Sequence, residues 1–143
     1  MKKINLKWSI LIAAILVPTL IIELKSSSGQ DVGTKAENES NKYILYLQNA
    51  RNLLNLTSDE YKNKNYTGAE ELATAAYLDN FEYVEHVLEE KGSHSFMQDI
   101  EHKMREDLRN LIKNKVNDTE LDMHINSTDA KLLEAINLLK GSK

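Results

Sequence analysis

This sequence predicts an all-α fold, an antiparallel four-helix bundle preceded by an N-terminal hydrophobic signal or anchor helix, and three observations carry the prediction. Beyond Pro18 no proline occurs. After residue 42 the apolar residues recur at three- and four-residue spacing, and no segment alternates at the two-residue period of a strand. Short polar stretches with Ser, Thr, Asn or Gly interrupt that periodicity at helix-length intervals, where caps and turns are wanted. A chain of 143 residues suffices for one small core and hardly for two.

The N-terminal element comes first. Lys2, Lys3 and Lys7 precede an uncharged run from Trp8 to Ile22, which Glu23, Lys25 and the polar Ser26–Gln30 close. Basic residues, an apolar stretch and a polar end are the pattern of an export signal. The run is longer than many signal-peptide cores and shorter than the roughly 20 residues that span a bilayer squarely, although Ile4 to Leu24 reaches across with lysines snorkelling. Residues 1–30 therefore read as a cleaved signal peptide, with Ser26 and Ser28 as small residues near the cut, or as a retained membrane anchor. Either fate puts the rest of the chain outside the cytoplasm, at the membrane or secreted.

Residues 31–41 are polar and without apolar period, which predicts a tether. Residues 42–143 form the predicted bundle. Its first helix buries Tyr43, Leu47, Ala50, Leu54 and Tyr61, with Tyr46 and Leu53 flanking the stripe. Thr67-Gly-Ala-Glu70 has the capping-box pattern and opens a second helix to about Glu90, which Gly92 ends; its predicted apolar arc is Leu72, Ala75, Ala76, Tyr83 and Val87. Ser95-Phe-Met-Gln98 repeats the signal for a third helix to about Val116, with Met97, Ile100, Met104, Leu108 and Leu111 inward. Asn117 to Asn126 reads as a loop or a short turn that holds Met123 and Ile125 on the bundle. The fourth helix runs from about Thr128 to Gly141 and buries Leu132, Leu133, Ile136 and Leu139.

Charge narrows the function. Residues 1–30 carry four Lys and one Glu, so a net charge of −4 for the whole chain leaves −7 on the remainder. An acidic body repels phosphate backbones, so nucleic acid is not an expected partner. With no cysteine there are no disulfides, thiolate metal sites or cysteine nucleophiles. No serine, histidine or carboxylate stands in a recognisable catalytic motif, and the Glu-x-x-His pairs of di-iron bundles do not occur. The chain therefore reads as a non-catalytic binding module. Five Asn-x-Ser/Thr sequons, at Asn38, Asn55, Asn65, Asn117 and Asn126, agree with export and glycosylation, and the same residue types also serve helix caps.

One set of side chains points to metal chemistry. On a continuous second helix Asp79, Glu82 and His86 share a narrow sector beside the predicted apolar arc, and on the third helix Glu101 projects between Leu108 and Ile112. A carboxylate at such a seam needs hydrogen bonds, an arginine or a cation. Asp79, Glu82, His86 and Glu101 are thus candidate ligands for a divalent metal or iron ion. The other reading is a salt-bridge network in which Arg105 or Arg109 satisfies the same carboxylates. Asp99, His102 and Glu106 lie in register on a face without apolar residues and read as solvated; His94 and His124 read as surface residues.

The stretch from Tyr61 through Tyr66, Ala69, Ala76-Tyr77-Leu78-Asp79, Phe81-Glu82, Glu85 and Leu88, followed by Ile100-Glu101 and Leu108-Arg109, resembles the helical extracytoplasmic domain that precedes the channel in many prokaryotic high-affinity iron permeases, and its stand-alone secreted archaeal relatives. His86-x-x-Glu89 is similar to the metal motif of imelysin-type iron-regulated proteins. The permease channel with its own iron motif is missing, so the resemblance implies an accessory of extracytoplasmic iron or metal-ion handling, with a metal ion or a membrane permease as partner, and not transport itself. A structural or protein-interaction role in the cell envelope is the competing expectation.

Overall fold

The computed structural model describes residues 31–141, with side chains from Asn38 onward, and every secondary-structure element among them is helical. The expected signal or anchor, residues 1–30, lies outside the described residues. No helix among the described residues is long and apolar enough to cross a membrane. In chain order the elements are α1 (Asp31–Lys62), α2 (Tyr66–Leu78), a 3-10 turn (Phe81–Tyr83), α3 (Glu85–Lys91), α4 (His94–His102), a π turn (Lys103–Asp107), α5 (Leu108–Lys113) and α6 (Asp118–Leu139).

Residues 31–41, expected as a tether, are the first turns of α1. They contain no proline, and once the apolar part of the helix is formed, each further residue adds a hydrogen bond without a new nucleation step. The Ser40 hydroxyl donates to the Leu139 carbonyl at 3.1 Å and ties the start of the body to the end of α6. Leu47, Ala50, Leu54 and Tyr61 are buried as their spacing predicts.

Residues 66–91, α2 through α3, are the second arm and residues 94–113, α4 through α5, the third, and contacts along them fix their directions. Tyr61 packs on Tyr66 while Tyr46, fifteen residues earlier, stacks on Tyr83 at 5.1 Å between ring centroids, so the second arm returns antiparallel to α1. Arg109 reaches Glu70 at 3.7 Å, and Arg105 lies beside Tyr77, so the third arm runs antiparallel to the second. Along α6, Asp118 pairs with Lys64, Asp122 with Lys62 and Asp129 with Arg51, antiparallel to α1.

The second arm departs from expectation in two ways. It is broken: α2 ends at Leu78, Asp79 caps it, and the buried Asn80 turns its Nδ2 back to donate to the Ala75 carbonyl at 3.0 Å. Short polar side chains that bond nearby backbone compete with helix continuation, and Asn80 does so here. Its buried stripe also differs. Ala69, Ala73, Ala76, Tyr77, Asn80, Phe81, Val84, Val87 and Leu88 are inside, whereas Leu72 and Ala75 are half-buried and Tyr83 is 54% exposed. At about 100° per residue the true stripe is rotated by roughly a quarter turn from the predicted arc, and it keeps one helical phase across the break.

The third arm is a helix widened at its middle, because the π turn replaces regular hydrogen bonding over Lys103–Asp107. Its N-cap is Ser93, whose Oγ accepts from the Phe96 N–H at 3.1 Å, two residues before the expected Ser95. The stretch Asn117–Asn126, expected as a loop or short turn, is the N-cap and opening turns of α6, with the Asn117 side chain accepting from the Glu120 N–H. Leu121 and Ile125 face the core, and the expected Met123 is exposed. Leu133 is also outside, while Leu132, Ala135, Ile136 and Leu139 are buried.

Phe81, fully buried at the break, anchors the turn between α2 and α3 in the core. Phe81→Ala is expected to lower stability by about 3–5 kcal/mol. Urea unfolding followed by circular dichroism checks this, and a loss below about 1 kcal/mol would show that the turn does not depend on that ring.

Candidate functional site

Break and rotation together decide where the predicted ligands go. Asp79 is the exposed C-cap of α2, its N–H bonded to the Ala75 carbonyl at 3.1 Å. Glu82 is exposed in the 3-10 turn. His86, on the first turn of α3, meets Tyr43 of α1 edge-on, with Nε2 3.3 Å from the tyrosine hydroxyl. Glu101 alone is half-buried between arms, and it accepts from Arg105 at 2.8 Å. The structure thus places Asp79, Glu82 and His86 on the outer side of the second arm and does not bring them to Glu101. Among the described residues no group of three or more His, Cys, Asp or Glu side chains is close enough to hold a metal ion.

A polar seam between the second and third arms does exist, built from different residues. Tyr77 from α2, Glu85 from α3, Glu101 from α4 and Arg105 from the π turn face one another. Burial pushes the Tyr77 phenol up to about 12, and the neighbouring Glu85 carboxylate adds to the effect. Burial likewise raises the Glu85 carboxyl above the usual range; Glu101 and Glu82 add to the rise, and Tyr77 and Arg105 oppose it. Glu85 Oε1 is buried with no hydrogen-bond partner among the described residues. Arg105, bonded to Glu101, supplies the positive charge that a cation would otherwise bring. Glu85 was not foreseen, because its inward orientation depends on the rotation of the arm. The signal that finds it is the alanine series at 69, 73 and 76, which sets the phase.

Elsewhere the polar clusters are solvated. His102 sits 3.2 Å from Glu106 and 3.6 Å from Asp107, and Asp99 pairs instead with Lys131. His94 is exposed beside Glu89. His124, expected at the surface, is half-buried with Nε2 2.8 Å from the Lys103 carbonyl, at the edge of the π turn. An open groove between α4 and α6 is lined by Phe96, Ala130, Leu133 and Leu138.

What these features define, among the described residues, is a small all-helical protein with a polar seam between its second and third arms and open surface grooves. No family model, no curated protein and no solved structure matches the chain.

A carboxyl raised by burial favours the folded state while protonated, so the stability that Glu85 supports at low pH is lost as pH rises from the ordinary carboxylate range through its raised value. Glu85→Gln, neutral at every pH, is expected to raise the urea midpoint at pH 7.5 and to match the unsubstituted protein near pH 4. A lower midpoint at pH 7.5 would instead mean that the ionised carboxylate is well paired.

Proposed function

We propose that this chain is an extracytoplasmic helical module, membrane-anchored or secreted, that acts by binding and not by catalysis. Its four arms are read together as an antiparallel four-helix bundle, with α2 and α3 as one arm and α4 to α5 as another. The observation that carries the proposal is the placement of α1. Among the described residues it runs unbroken from Asp31, next in sequence to the segment that reads as an export signal, into the core. Residues 31–39 add about 13 Å of helix ahead of Ser40, a stalk that holds the body clear of a bilayer surface. Contact surface for a partner is available along α1 and the second arm, where Leu45 and Tyr83 are exposed and Tyr83 stacks on Tyr46.

Fractionation of cells that make the full chain tests this reading. The protein is expected in membranes, resistant to salt and carbonate and released by detergent, or outside the cell with a mature start near Gly29 by mass. Recovery of the uncleaved chain in the soluble cytoplasm would end the proposal.

Accessory metal-ion handling, implied by the resemblance to iron-permease domains, is the second reading. The observation favouring it is the Glu85 and Glu101 pair at the arm interface, with Tyr77 beside it. Titration of the full chain with ferrous, manganous and zinc ions is then expected to show micromolar binding that Glu101→Gln abolishes. Absence of binding would leave the seam as an ion-pair network around Arg105.

A further inference from the structure

The five sequons are not equivalent in the folded chain. All five asparagines are exposed, so the amide alone does not separate them. The hydroxyl two residues on does. Ser40 donates to the Leu139 carbonyl, the buried Thr57 to the Leu53 carbonyl at 2.8 Å, and the buried Thr128 to the His124 carbonyl at 2.9 Å. These three hydroxyls are committed to packing. Thr67 and Thr119, which follow Asn65 and Asn117, are exposed on the opening turns of α2 and α6.

Asn65 and Asn117 also share a local geometry. Each follows a helix end that turns through a lysine in the left-handed region, Lys64 at φ 64° and Lys115 at φ 50°. Each is the N-cap of the next helix, with Oδ1 accepting from Gly68 N at 3.2 Å and from Glu120 N at 2.9 Å. At residue 68 a Cβ would collide with Asn65 Nδ2, so the glycine makes room for that amide. Nδ2 of each asparagine faces a side-chain carboxylate near the surface, Glu60 at 2.6 Å and Glu120 at 3.3 Å. Capping uses the oxygen of the amide, and the nitrogen donates to a side chain and not to the backbone.

We propose that Asn65 and Asn117 are N-glycan acceptor sites of the folded protein, whereas the sequons at Asn38, Asn55 and Asn126 serve packing. The transfer requires a lipid-linked oligosaccharide phosphate as donor and its transferase. Asn Nδ2 forms a bond to the anomeric carbon of the sugar, the bond from that carbon to the phosphate oxygen breaks, and the lipid phosphate departs with the electron pair. One Nδ2 proton passes to a base of the transferase, and no oxidation occurs. Because Oδ1 is not consumed, both helix caps survive the modification. Lys64 Nζ lies 2.9 Å from Asp118, so the two turns are neighbours at the end opposite the start of the α1 body, and two glycans would cover that end together.

In the cell this modification rests on the export proposed above; the test does not. Purified, folded full chain is incubated with a detergent-solubilised oligosaccharyltransferase and a lipid-linked donor, the enzyme first being shown to accept synthetic peptides spanning each of the five sequons. Two glycans are expected by intact mass, mapped to Asn65 and Asn117. Thr67→Ala and Thr119→Ala should each remove one glycan without loss of helix content, since neither touches the capping asparagine. Occupancy at Asn55 and Asn126 should be lower by about tenfold or more, because reaching their hydroxyls requires opening a helix interior. No transfer to Asn65 and Asn117 in the folded chain, or equal transfer at Asn55 and Asn126, would overturn the proposal. A chain found in the cytoplasm would defeat the export reading and leave this assay unchanged.

Discussion

Small side chains on α2 control how the second arm sits against the rest of the molecule. Ala69, Ala73 and Ala76 are buried together, and α2 packs chiefly on α1. Alanines let helix backbones approach closely, and a close approach leaves little freedom to rotate about the helix axis. With that phase set, Phe81, Val84 and Leu88 must also enter the core, and the larger Leu78 and Tyr83 are left outside. Tyr83 then covers Tyr46, Glu85 turns toward Glu101, and the carboxylates of Asp79 and Glu82 face water.

Departures from regular helix are matched by polar groups that satisfy the backbone nearby. The Asn80 amide takes the Ala75 carbonyl at the break in the second arm, and the His124 ring meets the Lys103 carbonyl at the edge of the π turn. Tyr61, buried in α1, donates its hydroxyl to the Val116 carbonyl between α5 and α6. A buried carbonyl left without a donor costs more than an average hydrogen bond contributes, so such partners select where a helix can be interrupted. Along the α1 and α6 seam the polar contacts are ionic. Arg51 grips Asp129 through two bonds of 2.6 and 2.9 Å, and Lys62 with Ser58 holds the Asp122 carboxyl below its usual range. Half-exposed pairs of this kind fix register more than they add stability.

These constraints give the molecule two distinct ends. One carries the start of α1 and the close of α6, joined through Ser40 and Leu139, and it receives the segment that reads as an export signal. The opposite end carries the two tight turns with their capping asparagines. Between them lies the seam of Tyr77, Glu85, Glu101 and Arg105, too enclosed on one side to be ordinary surface. The role proposed above draws on this division, since the N-terminal side of α1 and the two tight turns are separated by the length of the arms.

Helical class and most of the core of α1, of the third arm and of α6 were legible in the sequence, because large apolar residues at Leu47, Leu54, Ile100, Met104, Leu108, Leu132 and Ile136 mark one face unambiguously. Within the predicted seam the pairing of Glu101 with Arg105 was legible too, being a contact four residues apart on one arm. The inward face of the second arm was not. On α2 three of the four buried residues are alanine, which carries little hydrophobic signal, so Leu72 and Tyr83 marked the wrong face. Only the tertiary structure decided that face, because α2 packs its small residues against α1 and leaves the bulkier ones on its other side. That same rotation sent Asp79, Glu82 and His86 outward and placed Glu85 within, a choice made by the neighbouring helices and not by the local spacing of charges.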